Sequence, residues 1–169
     1  MNLIYTPKGK AREYSPLALN VYTGGCEHAC DYCYCSGIGA WGTEPRLRNL
    51  NGLEADARHA DDQILLSFMS DPYGPIEQIA RNTRRALSIL SAAGCSVAVL
   101  TKGGIRCLDD LQTFRSWPDS RIKVGATLTM SSDALSRKHE PGAALPGDRL
   151  TALKALHEAG IRTWASIEP

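Results

Sequence analysis

Four cysteines, Cys26, Cys30, Cys33 and Cys35, fall within ten residues, while Cys95 and Cys107 stand apart. Disulfides that staple a small domain tie distant loops together, whereas thiols crowded into one loop read as metal ligands. The segment runs Gly25-Cys26-Glu27-His28-Ala29-Cys30-Asp31-Tyr32-Cys33-Tyr34. Its spacings of four and three residues let Cys26, Cys30 and Cys33 converge on one centre, and Gly24-Gly25 lets the backbone turn tightly before them. A [4Fe–4S] cluster usually takes four thiolates. A loop that offers three leaves one iron open, as catalytic zinc sites keep a position for chemistry. Such an iron can bind a small molecule through its amine and carboxylate. The alternative use of the loop is a structural zinc, with Cys35 or His28 as fourth ligand, or a closed cluster that includes Cys35; neither would be catalytic.

The elements that must position this loop alternate between two periods. Residues 18–22 (ALNVY) read as a strand leading into it. Residues 63–69 (QILLSFM) form a second apolar run, bounded by Asp61-Asp62 and Asp71-Pro72. Pro75 opens a helix whose apolar positions Ile76, Ile79, Ala80, Thr83, Leu87 and Leu90 share a face and which stops at Gly94. Residues 96–101 (SVAVLT) are a third strand, 107–115 a short helix with Leu108, Leu111 and Phe114 inward, and 123–130 (KVGATLTM) a fourth strand. Period two puts Thr127 and Thr129 on one side of that strand. Asp148 caps a helix carrying Leu150, Leu153, Leu156 and His157, and residues 162–167 (RTWASI) close the series. Strand and helix alternating without polar linkers mean an α/β protein of parallel βα units, in an open doubly wound sheet or a barrel. Glu168-Pro169 follows the fifth strand directly, which reads as a fragment or a short member of a larger family.

Composition narrows the class. The chain has 169 residues, 43% hydrophobic and 22% charged, which suits one domain over residues 1–169. A net charge of +1 excludes a polybasic surface that binds nucleic acid through phosphates alone. No apolar run approaches the roughly 20 residues of a membrane span. Met1 to Lys10 lack a signal-peptide pattern, so the expected setting is cytoplasmic, with cysteines as thiols or ligands.

CxxxCxxC, with an aromatic before the third cysteine and a strand before the first, resembles the radical S-adenosylmethionine (SAM) superfamily. The likeness extends to Leu19-Asn20-Val21-Tyr22-Thr23-Gly24-Gly25, His28, Tyr32-Cys33-Tyr34, Ser70-Asp71-Pro72-Tyr73, Pro75-Ile76-Glu77, Thr83-Arg84, Thr101-Lys102 and Glu140-Pro141. Together these resemble the branch related to spore photoproduct lyase, often called DNA repair photolyase-like. The resemblance implies a partial TIM-like barrel, with about five of the usual six βα units present and the site at the strand C-termini. It implies a [4Fe–4S] cluster on Cys26, Cys30 and Cys33 whose fourth iron chelates SAM. One electron, from a donor of flavodoxin or ferredoxin type, would split SAM to a 5′-deoxyadenosyl radical that abstracts hydrogen from substrate. Ser70 and Asp71 would meet the SAM amine, Lys102 the SAM carboxylate or ribose, and Tyr32 would lie beside the adenine; Thr127 would face the barrel interior or the helices.

Two features depart from that branch. Phe68 stands two residues before Ser70-Asp71, where those lyases carry a cysteine that returns a hydrogen atom to the product radical. Their DNA-engaging C-terminal region has no counterpart here, and no basic patch replaces it. The implied chemistry is therefore lyase-like hydrogen abstraction from an unknown substrate; the family analogy allows nucleic acid as partner, which the charge does not support, and thymine-dimer repair is disfavoured. Gly37-Ile38-Gly39-Ala40-Trp41-Gly42 matches a dinucleotide-binding pattern, but it follows the cysteine loop rather than a strand and reads as a flexible segment. Glu140-Pro141 and Arg149 read as supporting residues, Cys95 as a small core residue, and His59, His139 and His157 as non-ligands.

Overall fold

Ile64-Leu65-Leu66 and Val97-Ala98-Val99 are apolar at every position and need cover on both faces, which a parallel sheet with its own helices supplies. The computed structural model describes residues 2–9, 11–37, 39, 41–118 and 121–167. The chain runs through α1 (Ala11–Tyr14), β1 (Leu17–Leu19), β2 (Tyr22–Thr23), a 3-10 turn at Tyr34–Gly37, β3 (Arg46–Leu47), α2 (Leu53–Ala57) and β4 (Ile64–Leu66). It continues through α3 (Glu77–Ala80), α4 (Asn82–Ala92), β5 (Val97–Thr101), a 3-10 helix at Gly104–Asp110 and α5 (Leu111–Arg115). Then come β6 (Ile122–Thr127), α6 (Asp133–His139), α7 (Pro146–Glu158) and β7 (Arg162–Ser166).

Five strands make one sheet in the order β1-β4-β5-β6-β7, every neighbouring pair parallel. A doubly wound sheet reverses its strand order part-way. This one does not, so the fold is an α/β partial barrel, as the sequence resemblance implied. On one face Leu66, Val97, Val99, Ile122 and Val124 pack with Leu87 and Leu90 of α4, Phe114 of α5, and Ala152 and Leu156 of α7. Each of the large side chains contributes about 2 kcal/mol by its burial, and the small Ala152 less. The opposite face is crossed by Tyr14, whose hydroxyl lies 3.1 Å from Ser166 Oγ and whose ring meets Phe68 edge-on and Trp164 at a tilt. Among the described residues no helix is long and apolar enough to cross a membrane.

The expected helix from Pro75 to Gly94 is two helices. Arg81 breaks it with φ of 54°, and the buried Glu77 carboxylate explains the break. It folds over the start of α4 to accept the N–H groups of Thr83 at 2.8 Å and Arg84 at 3.2 Å, and it also takes the Tyr22 hydroxyl. An anion satisfying free N–H groups at a helix start outweighs one residue of left-handed backbone. The break turns Ile79 outward, at 89% exposure, rather than onto the apolar face. α7 begins at Pro146 rather than at a cap on Asp148, and it buries Arg149 while Leu150 is half exposed. β6 ends at Thr127, so Thr127 and Thr129 do not share a strand face. The sequence residues 18–22 divide between β1 and β2, and β2 pairs antiparallel with β3. Ile38 and Ala40 of the glycine pattern, and Glu168-Pro169, lie outside the described residues.

Candidate functional site

β1 and the short β2 deliver the chain to Cys26, and backbone groups then grip the loop from several sides. Cys26 N–H donates to the Gly42 carbonyl at 3.0 Å, and Gly42 N–H to that of Gly24 at 3.0 Å. Gly142 N–H donates to the His28 carbonyl at 3.0 Å and Asp31 N–H to that of His139 at 3.1 Å. Gly142 is required there, because a Cβ would stand 1.9 Å from the Glu27 carbonyl oxygen. The Glu27 carboxylate accepts Ile76 N–H at 2.8 Å, and the Ser70 hydroxyl donates to the Gly25 carbonyl at 2.7 Å. His139, not a ligand in the sequence reading, pairs with Asp31 at 2.7 Å.

The loop borders an open cavity of about 280 Å³ at the C-terminal ends of the strands. Cys26, Cys30 and Cys33 all line it, as do Tyr32, Ser70, Asp71, Lys102 and Thr127, so the structure brings together every residue singled out for the site. Cys35 does not line it: it is fully buried, with its sulfur 3.7 Å from the Met69 carbonyl. Burial, aided by Asp71, pushes the Cys26 thiol up to about 11, and burial also raises Cys30. Cys33 is lowered, first through its hydrogen bond with Cys35.

Asp71 works as an anchor. Its Oδ1 accepts Thr101 Oγ1 at 2.5 Å and Tyr73 N–H at 2.8 Å, and its Oδ2 accepts Lys102 N–H at 2.6 Å. It thereby ties the loop after β4 to the end of β5. His28 is buried and lies 3.4 Å from Asp71 Oδ2 through Nδ1. Arg106 Nη2, which can only donate, is 3.3 Å from His28 Nε2. Burial lowers the His28 pKa, and Asp71 opposes that shift. With a guanidinium at Nε2, the ring accepts there and turns Nδ1 towards Asp71, so both ring nitrogens face protein partners.

The Lys102 ammonium lies 4.0 Å from Cys30 Sγ, 3.6 Å from Glu140 Oε1 and 5.0 Å from the centre of the Tyr32 ring. Tyr32 donates its hydroxyl to Glu140 and lies 3.2 Å from Thr129 Oγ1. Thr127 ends β6 at the cavity, and its carbonyl accepts Arg149 Nη1 at 2.9 Å. Tyr14, Phe68, Met69 and Leu100 also line the cavity, together with Ser67, Thr101 and Ser166. Glu140, a supporting residue in the sequence reading, is where the contacts of Tyr32, Lys102 and Arg149 converge.

The donor set fits an iron–sulfur cluster. Three free thiols face one cavity from one loop. Among the described residues, no three His, Cys, Asp or Glu side chains gather closely enough to hold a single ion. A cluster takes its thiolates on different irons, and three cysteines lining one cavity suit that arrangement.

The chain is 33% identical over 158 residues to the uncharacterized protein MJ0683 of Methanocaldococcus jannaschii, covering 89% of this chain and 59% of that one. It is 24% identical to the uncharacterized protein Rv2578c of Mycobacterium tuberculosis, over 86% of this chain and 47% of that one. A solved spore photoproduct lyase superposes with a TM-score of 0.78 at 18% identity, over 98% of this chain and 48% of its own. Another, with bound AdoMet and dinucleoside spore photoproduct, does so at 0.72 and 18%, over 90% and 45%. The chain thus spans about half the length of these proteins, and the superpositions speak for the fold. The sequence model of the radical SAM superfamily matches residues 20–167, and the chain belongs to that superfamily.

Proposed function

We propose that residues 1–169 act as one radical SAM core, with a [4Fe–4S] cluster on Cys26, Cys30 and Cys33 and SAM in the adjoining cavity. The observation that carries this reading is the division of the loop's thiols: three line the cavity and Cys35 is buried beside the Met69 carbonyl. Held by Cys26, Cys30 and Cys33, a cluster would supply one-electron reduction of SAM and so the means of abstracting hydrogen from substrate. The chain's own residues prepare that chemistry. Cys26, Cys30 and Cys33 would hold the cluster with three thiolates rather than four, which would leave it room for a small-molecule ligand. The Lys102 ammonium offers a charge to the carboxylate, Ser70, Asp71 and Thr127 offer polar groups at the strand ends, and the Tyr32 ring offers a flat face to the adenine. Tyr14, Phe68, Met69 and Leu100 contribute apolar surface to the cavity, which limits the water beside a bound ligand.

The fold shared with spore photoproduct lyases supports a lyase-like hydrogen abstraction, with an electron donor of flavodoxin or ferredoxin type in a cytoplasmic setting. The net charge of +1 and the phenylalanine at Phe68 weigh against thymine-dimer repair. The test is electron paramagnetic resonance of the anaerobically reconstituted, dithionite-reduced protein, with and without SAM. A [4Fe–4S]⁺ signal that changes shape on adding SAM is expected. A cluster signal indifferent to SAM would mean a closed cluster, and a silent, zinc-loaded protein would sink the enzyme reading.

A further inference from the structure

We propose that Glu140 is a positioning residue for the cavity, acting through Tyr32 and Lys102; this rests on reading the cavity as the SAM site. Glu140 follows α6 at 1% exposure and Arg149 lies on α7 at 0%. The two carboxylate oxygens face different parts of the molecule. Oε2 takes the Arg149 guanidinium and the Ser136 hydroxyl, the latter at 3.3 Å. Oε1 takes the Tyr32 hydroxyl, Thr129 Oγ1 at 2.5 Å and the Lys102 ammonium at 3.6 Å. One oxygen is tied to the helices, the other to the cavity wall. Arg149 is itself locked, donating to the Ala144 carbonyl at 2.8 Å and the Thr127 carbonyl at 2.9 Å.

Tyr32 and Lys102 line the cavity, whereas Glu140 does not. Its effect on a ligand must therefore pass through them. A lysine has four flexible methylenes and samples many rotamers unless something holds its head. Here Oε1 holds it beside Cys30 and over the Tyr32 ring. A fully satisfied buried ion pair adds little net stability, yet it fixes geometry, and groups fixed in advance bind without the cost of ordering.

The test is SAM affinity of the cluster-loaded protein, measured by equilibrium dialysis. Glu140→Gln is expected to retain iron and sulfide and to bind SAM about tenfold more weakly. In a Tyr32→Phe, Lys102→Met background the same substitution is expected to cause no further loss, since residues acting in one chain are non-additive. Full additivity would overturn the proposal, because it would mean that Glu140 acts independently of its two partners. Should Glu140→Gln fail to fold with Arg149 unpaired, Tyr32→Phe alone decides. It leaves the Glu140–Arg149 bridge intact, and unchanged SAM affinity would overturn the proposal. If the unaltered protein binds no SAM, the reading of the cavity fails and this inference with it. Equal binding by parent and variants sinks the inference alone.

Discussion

The Lys102 ammonium sits 4.0 Å from the sulfur of Cys30, joining the end of β5 to the middle of the cysteine loop. A cation at that distance stabilises negative charge on the sulfur and on anything bound to it. Replacement by an uncharged side chain of similar length removes that effect and leaves the three thiols in place. Lys102→Met is expected to retain iron and sulfide, to shift the midpoint potential of the cluster to more negative values, and to weaken SAM binding. A redox titration followed by electron paramagnetic resonance reads the first effect and equilibrium dialysis the second. An unchanged potential would show that the ammonium does not act on the cluster.

The cysteines divide by environment. Cys26→Ala, Cys30→Ala and Cys33→Ala are each expected to abolish the cluster, whereas Cys35→Ala, removing a sulfur buried beside Met69, leaves an EPR-active reduced cluster. Iron and acid-labile sulfide analysis of the four variants checks this. Loss of the cluster in Cys35→Ala would mean four thiolate ligands and no open iron.

Much of this architecture was readable from the chain. The apolar run at β4, the valines of β5 and Ile122 and Val124 of β6 marked buried strands, and the spacing of the cysteines marked the candidate site. What escaped depended on side chains reaching across the fold. Nothing local in Ile76–Thr83 announces that Glu77 will curl onto the start of α4 and split the helix at Arg81. α6, with sequence DALSRKH, has no apolar face to betray it, since its Leu135 is half exposed and its buried residue is Ser136. Glu140 and Arg149 read as supporting residues because each gains its meaning only when α7, the loop after α6 and the cysteine loop come together.

Glu140 also carries a pH signature. Burial raises its carboxyl, but hydrogen bonds from Arg149, Thr129 and Tyr32 outweigh that and bring it down to about 2 from the usual 4.5. Between those values the unfolded chain binds the proton and the folded chain does not, so stability falls as the pH drops. The contribution is complete above about pH 4.5 and is lost towards pH 2. Denaturant titrations of the parent and Glu140→Gln over that window are expected to converge at the acid end. Parallel curves would mean that Glu140 titrates alike in both states.

Gly142 offers a steric test. Its missing side chain lets the backbone reach the Glu27 carbonyl, where a Cβ would sit at 1.9 Å. Gly142→Ala therefore displaces two backbone segments, at an expected cost of about 1–3 kcal/mol in unfolding free energy, together with poorer retention of iron. Chemical denaturation and iron analysis measure the pair. A variant as stable and as iron-replete as the parent would show that the segments separate freely.

The cysteine loop is gripped largely by main-chain groups: Gly42 and Gly24 on one side, His139 and Gly142 on another. Peptide hydrogen bonds do not depend on side-chain identity. Those contacts therefore survive a change of side chain wherever the backbone can still come close. A side chain is excluded at Gly142 and Gly25, where a Cβ would strike a backbone oxygen. The glycines thus set how near the loop lies to its neighbours, while Glu27, His28 and Tyr32 fasten it there through their side chains.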